Sequence, residues 1–211
     1  PDLIVSQDLC RVCALPSGDV DEAVRQLGCR AEVFSYDPMS LDGVFDEIEA
    51  IDRAVAPGRS GSEPAVDRLR ERVEAVGRRV ADRDRPLVLL LEWTDPPFTP
   101  GHWIPDQIVR AGGEPLLANP GGRSSSSSWD EVAETGAEVL LVAPCGFDRA
   151  GAEAQLREVL TRPEVAALPA ARNGRGHAID ADGLIVRPGP RLVDGIEAMA
   201  ELLHPGSSTE G

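Results

Sequence analysis

The chain of 211 residues contains no lysine: all 21 of its basic residues are arginine, set against 36 aspartates and glutamates for a formal net charge of -15. A field of that sign repels phosphate backbones, so nucleic acid is not an expected partner, and a well-solvated surface accounts for the acidity. Long apolar runs are also missing. The longest, Leu87 to Leu91 and Val139 to Ala143, fall far short of the ~20 residues that cross a bilayer, so the chain is not membrane-spanning. No charged start followed by an apolar signal-type core is present. Four cysteines, Cys10, Cys13, Cys29 and Cys145, are too few for a disulfide scaffold. No serine lies in a nucleophile elbow, there is no Walker loop, and Pro120-Gly-Gly-Arg123 does not follow a strand in the phosphate-binding way. The chain is therefore not expected to be an enzyme, and no cofactor is required.

Aromatic residues are scarce, at 4%, and this makes their clustering informative. Glu92 to Asp106 holds two of the three tryptophans, one of the four phenylalanines, one of the three histidines and four prolines. Rigid prolines and large rings on one loop suit a preorganised surface for a flat ligand. A hydrophobic plug at a sheet end is the plain alternative.

With 42% hydrophobic residues the chain can build real cores as one large domain or two small ones. Leu3 to Val5 reads as a strand. Asp19 with Glu22 reads as a capping pair opening a helix over Val20, Ala23, Val24 and Leu27, closed by Gly28. Ala31 to Ser35 is a second strand, and Ser40 caps a helix with Leu41, Val44, Phe45, Ile48, Ile51 and Val55 at three- and four-residue spacing. After a Gly/Ser-rich linker, Ser62-Glu63-Pro64 opens a helix with one narrow apolar stripe: Val66, Leu69, Val73, Val76 and Val80. From Pro64 to Arg85 it would span about 33 Å, the width of a small domain. A coiled-coil partner is the competing account of that stripe.

Beyond it come strand Leu87 to Leu91, the aromatic loop, a helix around Ile104 to Ala111, a short strand at Leu116-Leu117 and a Gly/Ser-rich loop from Asn119 to Ser127. Ser128 with Glu131 makes a capping box, Val139 to Val142 an apolar parallel-type strand, and His177 to Ile179 a further strand. Leu192, Val193, Ile196, Met199, Ala200 and Leu203 line a final helix. Alternating strands and helices on either side of one long helix predict an α/β protein of two doubly wound lobes. The expected division is 1–57 for the carboxyl-terminal part of a first lobe, 58–85 for the linker and connecting helix, 86–205 for the second lobe and 206–211 for a disordered tail. Two strand-helix units make only part of a doubly wound lobe, so the first lobe is expected to be incomplete, its opening strands preceding Pro1.

Ligands of open parallel sheets bind beyond the carboxyl ends of the strands. Those ends carry Gln7, Cys10 and Cys13; then Glu92, Trp93, Asp95, Phe98, His102 and Trp103; then Cys145 and Phe147; then Asp180, Asp182 and Arg187. Glu92 and Asp95 are a candidate carboxylate pair. Cys10-x-x-Cys13 has the spacing of a metal half-site or a redox pair, and with Cys145 and His102 it would complete a three-cysteine, one-histidine zinc site; small buried thiols are the plain reading. His102 suits a metal ligand or a histidine bonded within a turn. Arg187-Pro-Gly-Pro-Arg191 places two guanidinium groups at a helix start, where they would meet an anion or local acids.

The stretches Pro1-Asp-Leu-Ile-Val-Ser-Gln-Asp8, Glu92-Trp-Thr-Asp-Pro-Pro-Phe98, Gly101-His-Trp-Ile-Pro105, Ala143-Pro-Cys-Gly-Phe-Asp148 and Arg187-Pro-Gly-Pro-Arg-Leu-Val-Asp-Gly195 resemble the cobalamin-binding branch of the periplasmic binding proteins that serve ABC importers of cobalamin, haem and iron-siderophores. The likeness covers nearly the whole chain. It implies two lobes joined by a rigid helix, a small-molecule corrinoid or other metal chelate held between them, an ABC transporter permease as partner, and a periplasmic or cell-surface location. The ligand-binding residues expected on this reading are Gln7, Trp93, Asp95, Phe98, His102, Trp103, Cys145, Phe147, Arg187 and Arg191. The cysteines are no general requirement of that family. They leave open a second reading, an intracellular metal-binding or thiol-redox protein built around Cys10, Cys13, Cys145 and His102.

Overall fold

The computed structural model describes residues 1–7, 17–28, 30–56, 58 and 61–206. The chain opens with strand β1 (Leu3–Ser6) and helix α1 (Ser17–Gln26), followed by β2 (Glu32–Ser35) and α2 (Leu41–Val55). Asp19 falls inside the first turn of α1 rather than at its cap, because the helix begins three residues earlier than the Asp19–Glu22 spacing predicts. Gly28 closes the turn after α1 at φ 62°, a left-handed conformation that glycine adopts without a Cβ clash. β1 and β2 pair in parallel, Leu3 opposite Glu32 through Ser6 opposite Ser35. The hydroxyl of Ser40 accepts from Gly43 N at the start of α2, the cap read from the sequence.

The connecting helix α3 (Glu63–Val80) buries Val66, Val73, Val76 and Val80 along one face. It is 18 residues long, about 27 Å at the ordinary helical rise. The expected extension to Arg85 does not form. Beyond Val80 the segment Ala81 to Arg85 is wholly exposed and carries no apolar residue large enough to continue the buried stripe.

The second part of the chain runs through β3 (Leu87–Leu91), β4 (Trp93–Thr94), β5 (Pro97–Thr99), α4 (Ile104–Arg110), β6 (Glu114–Pro115), β7 (Ser125–Ser126), α5 (Trp129–Glu134) and β8 (Val139–Val142). It continues with α6 (Arg149–Leu160), α7 (Pro163–Ala166), α8 (Pro169–Arg172), β9 (Gly176–Ala178), α9 (Ala181–Leu184) and α10 (Leu192–Leu203). Four of the strands form one parallel sheet in the order β6-β3-β8-β9. All four residues of β8 are buried, as are Val88 to Leu91 of β3, which is why both strands read as unbroken apolar runs. The strand expected at Leu116-Leu117 sits two residues earlier, at β6; Leu116 N still bonds Val88 O, but Leu117 turns away at φ 51°. β9 likewise begins one residue earlier than read. Ser128 and Glu131 form the expected capping box.

Two hydrophobic clusters fill the faces of the four-stranded sheet. One, with Leu89, Leu91, Leu140 and Val142, takes in Val132, Val159, Val165 and Leu168. The other, with Val88, Leu90, Val139 and Leu141, takes in Ile104, Ile108, Ile196 and Met199, and extends without a break to Leu41, Val44 and Phe45 of α2 and the buried valines of α3. The two parts of the chain therefore share one core. Polar ties cross the same junction: Asp106 Oδ2 accepts from Leu41 N at 2.9 Å, and the Tyr36 hydroxyl donates to Pro188 O at 3.3 Å. Arg72 of α3 forks onto Asp194 at 2.7 Å and Glu197 at 2.6 Å of α10. The fold is α/β, with two lobes of parallel strands and helices joined by a long helix. No helix among the described residues is long and apolar enough to cross a membrane.

Candidate functional site

The strand order fixes where a ligand can sit. From β3 the chain crosses to β6 on one side, and from there to β8 on the other, so the carboxyl ends of β3 and β8 flank the point where strand order reverses. The two ends are stitched together, Ala143 N to Leu91 O at 2.9 Å and Cys145 N to Glu92 O at 3.0 Å.

The aromatic stretch, expected to be a loop, is instead a small antiparallel sheet. β4 and β5 pair with Trp93 opposite Phe98, and β7 adds a third strand with Ser126 opposite Phe98. Directly opposed residues share a face, so Trp93 and Phe98 lie side by side. Trp93 is 40% exposed, packs edge-on against Phe147 at 5.8 Å between ring centroids, and donates its indole N–H to Asp95 O at 3.1 Å. Thr94 hydrogen-bonds Gln155 of α6, anchoring the hairpin. Trp93, Phe98 and Phe147 thus make an aromatic ledge over the switch point, with Asp95 and Cys145 exposed beside it.

Trp103 does not belong to that ledge. It is 3% exposed, its indole donates to Ile185 O at 2.8 Å, and it lies within the shared core, so the expectation that its ring meets a ligand is corrected: a ring without free surface cannot stack. Arg187 and Arg191 are exposed at the start of α10, Arg187 held by Asp182 at 2.8 Å and Arg191 by Asp194 at 3.9 Å. They face local acids, the second of the two roles open to them. Gln7 is half-buried just past β1. Cys10 and Cys13 lie outside the described residues. Among the described residues no three or more of His, Cys, Asp and Glu gather as they would around a metal ion.

Beneath the ledge lies a polar cluster. The Glu92 side chain is half-buried, and this desolvation pushes its pKa up to about 7 even though Ser124 and the Gly101 backbone N–H bond to it. Ser124 Oγ donates to Glu92 Oε1 at 3.0 Å, accepts from Gly101 N at 3.1 Å and lies 3.5 Å from His102 Nδ1. His102 sits at φ 53° and its backbone N–H donates to Gly122 O at 2.6 Å, so the turn carrying it is tied to the serine loop. Gly101 must be glycine there, since a Cβ would lie 2.3 Å from Ser124 N. Burial and the nearby Arg123 lower the pKa of His102, while Asp37, arriving from the end of β2, raises it. Asp37 Oδ1 and His102 Nε2 are both buried without a hydrogen-bond partner among the described residues.

Sequence reasoning missed Tyr36, Asp37 and Ser124. The rule that chose the other strand ends points equally to residues just past β2, where Tyr36 and Asp37 stand; Ser124 is hidden in a run of five serines. Burial, then Glu47, pushes the Tyr36 hydroxyl up to about 12, so it stays protonated and tied to Pro188. A separate cavity of about 370 Å³ opens against α3 and α4, lined by Val73, Gly77, Val80, Asp106, Val109 and Arg110; none of the strand-end residues borders it.

Among solved structures, the chain resembles the periplasmic vitamin B12 binding protein BtuF of Vibrio cholerae at 23% identity and a TM-score of 0.70, covering 96% of this chain and 74% of that one. It resembles the periplasmic heme-binding protein RhuT of Roseiflexus sp. RS-1 at 22% identity and 0.75, covering 99% and 77%. An ABC transporter substrate-binding protein of Listeria monocytogenes matches at 17% and 0.76, covering 97% and 77%. At these identities the likeness is one of fold. No curated protein matches the sequence. The family model for periplasmic binding proteins matches residues 1–182, and the chain belongs to that family.

Proposed function

We propose that this protein is a solute-binding protein of an ABC importer that holds a flat metal chelate, cobalamin or a related haem or ferric siderophore, in the cleft between its lobes. The observation that carries this reading is the exposed Trp93 beside Phe98 and Phe147 at the strand-order reversal, a surface that matches the face of a planar macrocycle. Family membership supports a solute-binding role, and structural neighbours named for vitamin B12, heme and ABC transport point to the ligand class and to a permease partner. In this reading residues 1–57 and 86–205 are the lobes, 58–85 connect them, and the protein works in the periplasm or at the cell surface. Trp93, Asp95, Phe98, Phe147 and Cys145 border the ligand, His102 lies beneath it, and Gln7 approaches from the first lobe.

The test is a titration of the full chain with cyanocobalamin, haemin and a ferric siderophore, each followed by tryptophan fluorescence. One of them quenches the signal at saturable, micromolar concentration, and Trp93→Ala removes most of that quenching. Absence of quenching by all three would overturn the proposal.

A further inference from the structure

The rings of the ledge come from short strands and a turn, yet helix α6 holds them in place. Phe147 stands just before the start of α6, and its ring lies against Gly151 in the first turn. A Cβ at 151 would come within 2.5 Å of Phe147 Cδ1 and 3.3 Å of its Cβ and Cγ, so any larger residue displaces the ring. The ring cannot yield by a shift of its backbone. Phe147 N donates to Pro144 O at 3.0 Å, and Phe147 O accepts from Asp182 N at 3.3 Å. Gly151 N donates to the capping carboxylate of Asp148 at 2.9 Å, a bond that alanine would keep. What this position takes from glycine is therefore the absent side chain, which leaves a seat for the ring.

Gln155 stands four residues on, and so on the same side of the helix. Its amide oxygen accepts from the Thr94 hydroxyl. A primary amide has one accepting and one donating end. The donating end of Gln155 goes to Glu158 Oε2 at 3.4 Å, which turns the oxygen toward Thr94. Thr94 follows Trp93 in β4, and the Trp93 ring packs edge-on against Phe147 at 5.8 Å. One side of α6 thus holds the Phe147 ring directly and the Trp93 ring through Thr94. We propose that Gly151 and Gln155 are positioning residues of the ligand surface, which together set how the Trp93 and Phe147 rings are presented before any ligand arrives. A surface already in place spares the complex the entropy of ordering two rings. This rests on the reading of the ledge as the ligand surface, but its first measurement needs no ligand.

The Trp93 indole N–H is followed by proton-nitrogen correlation in the ligand-free, ¹⁵N-labelled full chain, with Trp93→Phe assigning it among the three tryptophans. Phe147→Ala marks where that signal falls once the neighbouring ring is gone. Gly151→Ala moves it most of the way to that position, and adds nothing when combined with Phe147→Ala. Gln155→Met, which removes the acceptor for Thr94, also moves it, and Gln155→Glu, which keeps an acceptor, leaves it near the wild-type position. Whichever of cyanocobalamin, haemin and a ferric siderophore quenches the wild type binds Gly151→Ala about two- to tenfold more weakly, the worth of one aromatic pair. The urea midpoint hardly changes, because alanine favours the helix that glycine disfavours. A Trp93 signal indifferent to either Gly151→Ala or Gln155→Met, a Gly151→Ala effect that is the same with and without the Phe147 ring, or a lowered midpoint with unchanged chelate affinity would overturn the proposal. If none of the three chelates quenches while the Trp93 signal responds as stated, the chelate reading falls and the positioning of the rings by α6 stands.

Discussion

Trp93 and Trp103 lie ten positions apart in one aromatic segment, yet substitution should separate them cleanly. Trp93 is 40% exposed and its ring is held by Phe147 and the Asp95 carbonyl, so removing it costs little stability. Trp93→Ala is expected to weaken chelate binding about tenfold or more, the worth of one aromatic stacking contact, with the unfolding midpoint almost unchanged. Trp103 is the opposite case. Trp103→Ala empties a core position and orphans the Ile185 carbonyl, at a cost of about 3–5 kcal/mol in denaturant unfolding.

Glu92 adds a pH signature. Its carboxyl, raised by burial from 4.5 to about 7, binds its proton more tightly in the folded chain than in the unfolded one. Its favourable contribution is therefore fully present below about pH 4.5 and is lost as pH rises through about 7. Glu92→Gln keeps an acceptor for Ser124 but has no charge to bury. Between pH 5 and pH 8 the wild type should lose up to about 3 kcal/mol relative to this variant, measured by urea unfolding at each pH. Parallel curves for the two proteins would exclude the raised carboxyl.

At the scale of the element, the informative contact is the start of α2, where Ser40 caps the helix from within and Asp106 of α4 bonds Leu41 N from the other lobe. Asp106→Ala should cost about 1 kcal/mol, as loss of a helix cap does, while the exposed Arg110–Asp42 pair nearby should contribute almost nothing when Arg110 is replaced. Elements of this kind were legible in the sequence to very different degrees. β3, β8, α2 and the capping box of α5 could be read because burial on every side, a 3.6-residue stripe and paired caps each leave a local pattern. The β4–β5–β7 sheet could not: its strands are two or three residues long, with prolines at 96 and 97, and proline counts against a strand. The ledge was therefore visible as composition and invisible as geometry. The polar cluster beneath it was less legible still, since Ser124 stands 32 positions from Glu92 and Asp37 comes from the other side of α3; only folding brings them together.

Across the whole molecule, the continuity of one hydrophobic cluster from Leu41, Val44 and Phe45 through the α3 valines to Trp103, Ile108 and Met199 sets how the two lobes come apart. Two lobes with separate cores, joined only by a helix, would melt independently. Among the described residues the first lobe shows two strands, and the hydrophobic face of α2 is buried against elements of the second, so neither side keeps its cover if the other unfolds. The tryptophans supply the test, because all three lie beyond α3, at 93, 103 and 129, and their fluorescence reports directly on the second lobe alone, whereas far-ultraviolet dichroism also sees α1 and α2. A single shared core requires the two signals to follow one transition in urea, with the same midpoint and slope. Val44→Ala, a truncation in the first lobe, should then move the tryptophan transition as far as it moves the dichroism, by roughly 1–3 kcal/mol. A dichroism change that precedes the fluorescence change, or a Val44→Ala effect confined to dichroism, would mean that the first lobe unfolds on its own and that the junction holding Tyr36 and Asp37 against the cleft is not permanent.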